Sequence, residues 1–279
     1  MKHAILFLLL IGFSTNSYSQ HKFKSTAPYQ QKSESDIDVK IFRAFNNIES
    51  PFFNSVVSIT NHSVVPVSAF VPTGLYISAR INENRYDENS AVLLGISEIV
   101  NAGATQGLKM LVKRDRPFRS LNNVQLSETT SVSGTYSFPS GHSSSAFVIA
   151  TLLTLRYPDE PFLIAGSYLY ATVTSLGRIY WGVHYPSDVL CGMLIGAGTA
   201  ALVYSLRSEI LPAKDKLFNQ SSKPDERGKS AQLPLVLGSV IVADVLNSLI
   251  FRSQIPVLKN TSVDYSAEGF YSLCYNVKF

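Results

Sequence analysis

Residues 177–205 read GRIYWGVHYPSDVLCGMLIGAGTAALVYS, a polar segment followed by a long run of apolar and small side chains. The apolar part does not alternate with a period of two, and it is rich in alanine and glycine, as closely packed helices are. Further apolar stretches share this character and have lengths that suit helices: Val64–Ala79, Ala91–Val112, Ser145–Leu155 and Phe162–Leu176. The sequence therefore predicts an all-α fold, a bundle of about five or six helices.

The composition favours a membrane protein. Of the 279 residues, 46% are hydrophobic and only 16% are charged, well below the charged fraction that is usual in a soluble domain. Most uncharged runs nevertheless stop short of the roughly 18 residues that identify a membrane-spanning helix, so a soluble bundle is the alternative. The net charge of +4 is too small to indicate a nucleic-acid partner.

The chain divides into segments of different composition. Residues 1–19 have a basic start, an apolar run and small polar residues at the end, which is the plan of a cleaved signal peptide. Alternating apolar and polar residues from Tyr271 to Phe279 predict that the chain ends in a β-strand. Between these ends we expect a polar leader at 20–36, a helical domain at 37–206, a basic polar linker at 207–231 and a C-terminal extension at 232–279.

A first polar cluster, KMLVKRDRP, runs from Lys109 to Pro117 at the end of an apolar stretch. If the helix continues through it, Lys109 and Arg116 are separated by two turns and are nearly aligned. Two aligned cations can bind one anion. A solvated basic helix end would explain the cluster equally well if it stood alone.

A second cluster, SFPSGHSSS at 137–145, lies directly before another apolar run. Serine and proline favour the start of a helix, and glycine lets the backbone approach a ligand closely. Because the free N–H groups of a helix start bind anions, Ser140 and Gly141 are candidate anion ligands. Helix capping alone gives no reason for His142 in the same turn.

The third cluster contains Arg178, His184 and Asp188. The guanidinium of Arg178 offers a planar fork for two phosphate oxygens. Asp188 follows His184 by four residues, a spacing that lets a carboxylate at a helix start hold an imidazole, and a neutral histidine held in this way becomes a nucleophile. Together the clusters describe a phosphoryl-transfer site that uses cations and histidines and no metal.

The three clusters, in this order, resemble the signature of the type-2 phosphatidic acid phosphatase and vanadium haloperoxidase superfamily. The resemblance rests on Lys109 with six residues before Arg116-Pro117, on Pro139-Ser140-Gly141-His142, and on Arg178 with five residues before His184 and three more before Asp188. It covers roughly residues 41–206. One position departs from the pattern, because the family usually has serine where this chain has Gly177.

The resemblance implies a helical bundle with the site at one end. His184 would be the nucleophile that forms a phosphohistidine, Asp188 would orient it, and His142 would be the general acid. Three cations and the start of a helix would bind the phosphate: Lys109, Arg116, Arg178, Ser140 and Gly141. No metal-ligand cluster accompanies these residues in the sequence, so we expect no metal and no other cofactor.

The leading interpretation is a membrane lipid phosphatase that hydrolyses a lipid phosphate or diphosphate, because an apolar bundle around a phosphate site suits a substrate with a tail in the bilayer. One alternative is a vanadium-dependent haloperoxidase, whose site is similar because vanadate mimics phosphate. Another is a non-catalytic envelope protein that binds anionic lipid headgroups. No obligate protein partner is evident from the sequence.

The order of the apolar stretches predicts where the site lies. After signal cleavage, counting each stretch as one crossing puts all three clusters on the outer face and the basic linker in the cytoplasm, in agreement with the positive-inside rule. We therefore expect an inner-membrane protein whose active site faces the periplasm. A soluble periplasmic or an outer-membrane-associated protein is the alternative.

Overall fold

The computed structural model describes residues 33–126, 135–220, 225–226, 261–265 and 271–275. The predicted signal peptide, almost all of the predicted leader and the apolar run at 233–251 lie outside the described residues. The predicted terminal strand extends to Phe279, past the last described residue, and stays a prediction.

The described part of the chain contains eight helices and one two-stranded sheet. The helices are α1 (Ile37–Asn46), α2 (Pro51–Ile81), α3 (Arg85–Val112), α4 (Pro117–Ser120), α5 (Gly141–Arg156), α6 (Pro161–Tyr180), α7 (Pro186–Ser205) and α8 (Arg207–Leu217). The strands β1 (Thr261–Tyr265) and β2 (Tyr271–Tyr275) pair in antiparallel fashion. The predicted all-helical core is confirmed, since each of the five apolar stretches lies within one helix.

Local sequence explains where several helices begin. The side chain of Ser140 caps α5 by accepting from the N–H of Ser143, and the side chain of Asn84 caps α3 by accepting from the N–H of Asp87. Such caps satisfy backbone donors that have no partner inside the helix. Proline stands at the start of α6 and α7, where its missing N–H costs nothing.

Helices α5 and α7 pack closely at their backbones. A Cβ atom added to Gly192 or Gly196 of α7 would overlap the backbone of Ser140 or Ser144 on α5. Small residues four apart allow this approach. It brings the starts of the two helices together, and the N–H of Ser140 donates to the carbonyl of Asp188 at 2.9 Å.

An apolar core holds the bundle together away from this junction. Six helices contribute buried side chains to it, among them Val67, Leu93, Leu152, Leu163, Ala200 and Leu211. Burying one large aliphatic side chain stabilises a fold by roughly 1.5–3 kcal/mol relative to leaving it exposed. These contacts fix the relative positions of α2, α3, α5, α6 and α7, and hence of their ends.

The segment predicted as a basic linker begins with helix α8. Lys214 of α8 is buried and donates to Glu88 of α3 at 3.0 Å, and Asp215 accepts from Arg85. These partners neutralise the charges of Lys214 and Asp215 and hold α8 against the end of the bundle where α3 starts. The composition of the segment could not indicate this, because the partners are far away in the sequence.

A small part of the described chain has the properties of a membrane span. Helix α7 is long and apolar enough to cross a bilayer. Helix α2 is bent by 58° between Pro51–Val65 and Val67–Ile81, and its two halves taken together are a second candidate. The expected set of five or six spanning helices stays a prediction.

Candidate active site

The three polar clusters meet at one end of the bundle, where α3 and α6 end and α5 and α7 begin. The hydrogen bond from Ser140 to Asp188 joins the second cluster to the third. Arg116 of the first cluster donates from Nη1 to the carbonyl of Val183 at 3.1 Å, beside His184 of the third. The site is therefore assembled from loops that four helix ends hold in place.

His184 is the side chain on which the clusters converge, and only 2% of its surface is exposed. Its Nε2 lies 3.2 Å from Nη1 of Arg116. Because a guanidinium can only donate, Nε2 is the accepting nitrogen and carries a lone pair, which places the proton of the neutral ring on Nδ1. Nδ1 lies 3.7 Å from Oδ2 of Asp188, longer than a hydrogen bond, and catalytic contacts of this kind often tighten when a substrate binds.

Asp188 is fully buried in the first turn of α7. Its Oδ2 accepts from the N–H of Tyr185 at 2.8 Å, and its Oδ1 accepts from Nη1 of Arg114 at 2.6 Å. Both oxygens are thus engaged, and the carboxylate is fixed with Oδ2 towards the ring of His184.

Lys109, Arg116 and Arg178 supply positive charge around the histidine. Nζ of Lys109 donates to the carbonyl of Pro139 at 2.6 Å, and Nη1 of Arg178 donates to Oδ1 of Asn61 at 3.1 Å. Within residues 33–126 and 135–220, no carboxylate lies at ion-pair distance from Lys109 or Arg178. Buried cations are costly without an opposite charge, so this end of the bundle is suited to an anion.

Both histidines of the site are neutral in the free protein at neutral pH. Burial, and after it the neighbouring Arg116, Lys109 and Arg178, hold the pKa of His184 well below its usual value. Burial, followed by Arg178 and His184, does the same to the pKa of His142. Burial lowers the pKa of Arg116 to about 10, which still leaves the guanidinium charged.

Ser140 and Gly141 form the start of α5. The hydroxyl of Ser140 accepts from the N–H of Ser143 at 3.4 Å and from its hydroxyl at 2.9 Å. A Cβ atom added to Gly141 would meet no atom within 4 Å, so open space adjoins the helix start. An anion in that space would face the free N–H groups of the first turn.

One part of the prediction for the first cluster is wrong. Helix α3 ends at Val112, Lys113 adopts a left-handed conformation with φ 51°, and Arg116 directly precedes the next helix, α4. The proline that follows Arg116 disfavours a helical conformation there. Lys109 and Arg116 therefore reach the site from the two sides of a turn and are not aligned on one helix.

Sequence reasoning missed three side chains that contact the site: Arg114, Asp38 and Asn61. Arg114 was part of the first cluster but had no partner at a recognisable spacing. Asp38 of α1 bonds Arg114, and Asn61 of α2 bonds Arg178, and both come from helices outside the clusters. No sequence signal connected these helices to the site.

Gly177, where the family usually has serine, lies against α2. A Cβ atom at this position would overlap the amide of Asn61 and lie 2.7 Å from Cγ1 of Val57. The amide of Asn61 thus occupies the space that a side chain at position 177 would need, and it also accepts from the neighbouring Arg178.

Comparison with known families matches residues 89–211 of this chain to the PAP2 superfamily. The matched region contains all three polar clusters and most of the bundle.

Two of three individual relatives match more of the chain than the family does. A lipid A 4'-phosphatase from Bacteroides thetaiotaomicron is 26% identical over 182 residues, which cover 63% of this chain and 79% of the relative. The bacitracin transport permease protein BcrC from Bacillus licheniformis is 30% identical over 175 residues, 61% of this chain and 80% of the relative. A lipid A 1-phosphatase from Porphyromonas gingivalis is 41% identical over 69 residues, but this chain spans only 16% of its length.

A solved structure has a similar fold. The crystal structure of Aquifex aeolicus LpxE superposes with a TM-score of 0.51 at 26% identity, and the match covers 64% of this chain and 99% of that one.

Proposed function

Because this chain belongs to the PAP2 superfamily, we propose that it is a phosphatase that hydrolyses a lipid phosphate or diphosphate through a phosphohistidine, without a metal. The observation that carries the proposal is the contact of Arg116 with Nε2 of His184. It keeps the lone pair of the neutral ring on Nε2, and the nearby Lys109 and Arg178 have no carboxylate at ion-pair distance within residues 33–126 and 135–220. A buried nucleophile beside excess positive charge suits a phosphate substrate.

In the first step, Nη1 of Arg116 moves its hydrogen bond from Nε2 of His184 to a phosphate oxygen, and the freed lone pair of Nε2 attacks phosphorus. The bond from phosphorus to the leaving oxygen breaks as the new bond forms. The ring gains positive charge as the new bond forms, and the nearby carboxylate of Asp188 stabilises it while fixing the proton on Nδ1. His142 donates a proton to the leaving oxygen, which departs as the lipid alcohol or the lipid monophosphate. The dianionic phosphate itself raises the pKa of His142 so that it can be protonated in the complex.

In the second step, water attacks the phosphohistidine. The neutral His142 takes a proton from the water, the phosphorus–nitrogen bond breaks, and inorganic phosphate leaves with His184 restored. Lys109, Arg116 and Arg178 would neutralise the phosphate oxygens throughout both steps, a role that a metal ion fills in other phosphatases. The N–H groups at Gly141 would add hydrogen bonds from the start of α5.

The proposed substrate class is supported by the apolar surface of the bundle and by the relatives. Apolar side chains on α6 and α7 face outward, including Phe162, Leu190 and Leu194 at 82%, 58% and 65% exposure. The names of two relatives specify lipid A as the substrate. The apolar surface and the names of these relatives are consistent with a membrane protein that acts on a lipid. We propose that the protein lies in the inner membrane with its active site on the periplasmic side.

The proposal is tested by phosphate release from a panel of lipid phosphates and diphosphates, with the purified full-length protein. Turnover is expected with excess chelator present and is expected to be blocked by vanadate, which adopts the five-coordinate geometry of the transition state. His184→Ala should abolish release. Loss of turnover in chelator with recovery on adding magnesium would contradict a metal-independent mechanism.

A further inference from the structure

A chain of hydrogen bonds leads outward from Asp188 to the N-terminal helix α1. Arg114 donates from Nη1 to Oδ1 of Asp188 at 2.6 Å and from Nη2 to Oδ2 of Asp38. Asp38 in turn accepts from the N–H of Ser187 at 2.9 Å and from its hydroxyl at 2.6 Å. One guanidinium therefore bridges the carboxylate next to the nucleophile and a carboxylate on another helix.

The bridge is well shielded from solvent. The side chains of Arg114 and Asp38 are 18% and 14% exposed, and that of Asp188 is fully buried. The guanidinium of Arg114 also stacks on the ring of Tyr185, with 4.1 Å to the ring centroid. A planar fork held by two carboxylates and an aromatic face has little freedom to rotate, and shielded charge pairs are stronger than exposed ones.

The bridge bears on the reaction through the orientation of Asp188. Tyr185 holds one oxygen of Asp188 by its N–H, and Arg114 holds the other. Without Arg114 the carboxylate could turn about its bond to Cβ, and Oδ2 would lose its fixed direction towards Nδ1 of His184. The tautomer that leaves the lone pair on Nε2 depends on that direction.

We propose that Arg114 and Asp38 are positioning residues for the Asp188–His184 pair, so that α1 is part of the catalytic unit. This inference rests on the proposed function. Arg114 acts through Asp188, and Asp38 acts by holding Arg114. Neither side chain touches the phosphate in this account, so their loss should change the rate of chemistry and leave substrate binding nearly intact.

Arg114→Gln is expected to lower kcat by roughly 10–100-fold, the range seen when a residue that orients a catalytic ligand is removed, with KM changed less than about twofold. Asp38→Asn should have a smaller effect in the same direction, since Arg114 keeps its contact with Asp188. Arg114→Lys keeps the positive charge but loses the planar fork, so its kcat should lie between those of the wild type and Arg114→Gln.

The decisive experiment places these substitutions in an Asp188→Asn background. If Arg114 acts through Asp188, the double variant Arg114→Gln/Asp188→Asn should have the same kcat as Asp188→Asn alone. If Arg114→Gln lowers kcat by the same factor in the Asp188→Asn background as in the wild type, the proposal is overturned. That result would show that Arg114 acts independently of Asp188. If Arg114→Gln does not fold, the same comparison is made with the nearly isosteric Asp38→Asn, alone and combined with Asp188→Asn.

Arg43→Gln is the matched control for loosening α1. Arg43 lies on the same helix and donates to the carbonyls of Asn122 and Asn123 at 2.7 and 3.0 Å, away from Asp188. It should lower the melting temperature without changing kcat per folded molecule. If Arg43→Gln lowers kcat as much as Asp38→Asn does, the positioning role is overturned, because loosening of α1 would then explain both losses.

Two outcomes separate this inference from the proposed function. Absence of any turnover in the wild type would overturn both together. Additive effects of Arg114→Gln and Asp188→Asn on kcat in an active protein would overturn this inference alone.

Discussion

At the scale of single residues, the charges next to His184 set the pH at which the site can react. Because its pKa is depressed by burial and then by Arg116, the imidazole stays neutral below its usual titration range as the pH falls. The acid limb of kcat/KM should therefore have its midpoint below pH 6.5, the ordinary pKa of a histidine side chain.

Arg116→Gln tests the origin of this shift. Removing the cation raises the pKa of His184, so the acid limb should move to higher pH, on top of a loss of activity. Titration of the substrate phosphate cannot produce that movement, since the substrate is unchanged. The profile of Arg43→Gln, a cation outside the site, should match the wild type, and an unmoved limb in Arg116→Gln would contradict the assigned neighbour.

The pair Gly177 and Asn61 offers a second test at this scale. Gly177→Ser should lower kcat/KM, because the new side chain displaces the Asn61 amide that accepts from Arg178. Adding Asn61→Ala should recover part of the loss, since it frees the space that the serine needs. Gly166→Ser on the same helix is the control, because a Cβ atom there meets nothing within 4 Å. If Gly177→Ser alone were more active than the wild type, the Asn61 amide would not be the group that a side chain at position 177 displaces.

Residue chemistry predicted the members of the three clusters because imidazoles, cations and a carboxylate at helix ends are unusual in an apolar chain. It could not predict Arg114, Asp38 or Asn61 as neighbours of the site. Their partners lie many residues away, and only the packing of α1 and α2 on the other helices brings them together. Spacing rules work within one helix and give no information about such contacts.

At the scale of helices, the close packing of α7 on α5 holds the second and third clusters together. Gly196→Ala should destabilise the protein by roughly 1–3 kcal/mol, because the new Cβ atom overlaps the backbone of Ser144, which cannot move aside as a side chain would. Gly198→Ala lies in open space on the same helix and should be neutral or stabilising. Thermal unfolding of both variants in detergent measures the difference, and equal melting temperatures would contradict the packing argument.

The five helices that contain long apolar stretches could be predicted from the sequence. The residues at which helices begin and end were harder to predict. Continuing α3 through Arg116 was wrong because the periodic pattern was extended past Val112, although Pro117 was a signal against it. Helix α8 was missed because its sequence is mostly polar, and Glu88 and Arg85 of α3, which pair with its Lys214 and Asp215, lie far away in the sequence.

At the scale of the whole molecule, the predicted membrane topology has a direct test. In a background where Cys191 and Cys274 are serine, single cysteines at Asn122 and Ser221 are treated with an impermeant reagent in cells with a permeabilised outer membrane. Labelling at Asn122 alone is expected, because the site faces the periplasm and the basic segment faces the cytoplasm. Labelling at both positions would favour a soluble periplasmic bundle, and labelling at Ser221 alone would contradict the predicted orientation.

The central claim is that His184 carries the phosphoryl group during turnover. The most direct measurement is rapid quenching of the enzyme under alkaline conditions, with a lipid substrate labelled in its phosphate and with chelator present, followed by mapping of the labelled residue. We expect an acid-labile phosphohistidine at His184, absent from His184→Ala and reduced in Asp188→Asn, which perturbs orientation but keeps the nucleophile. Label at another residue, or near-normal turnover by His184→Ala, would contradict this claim.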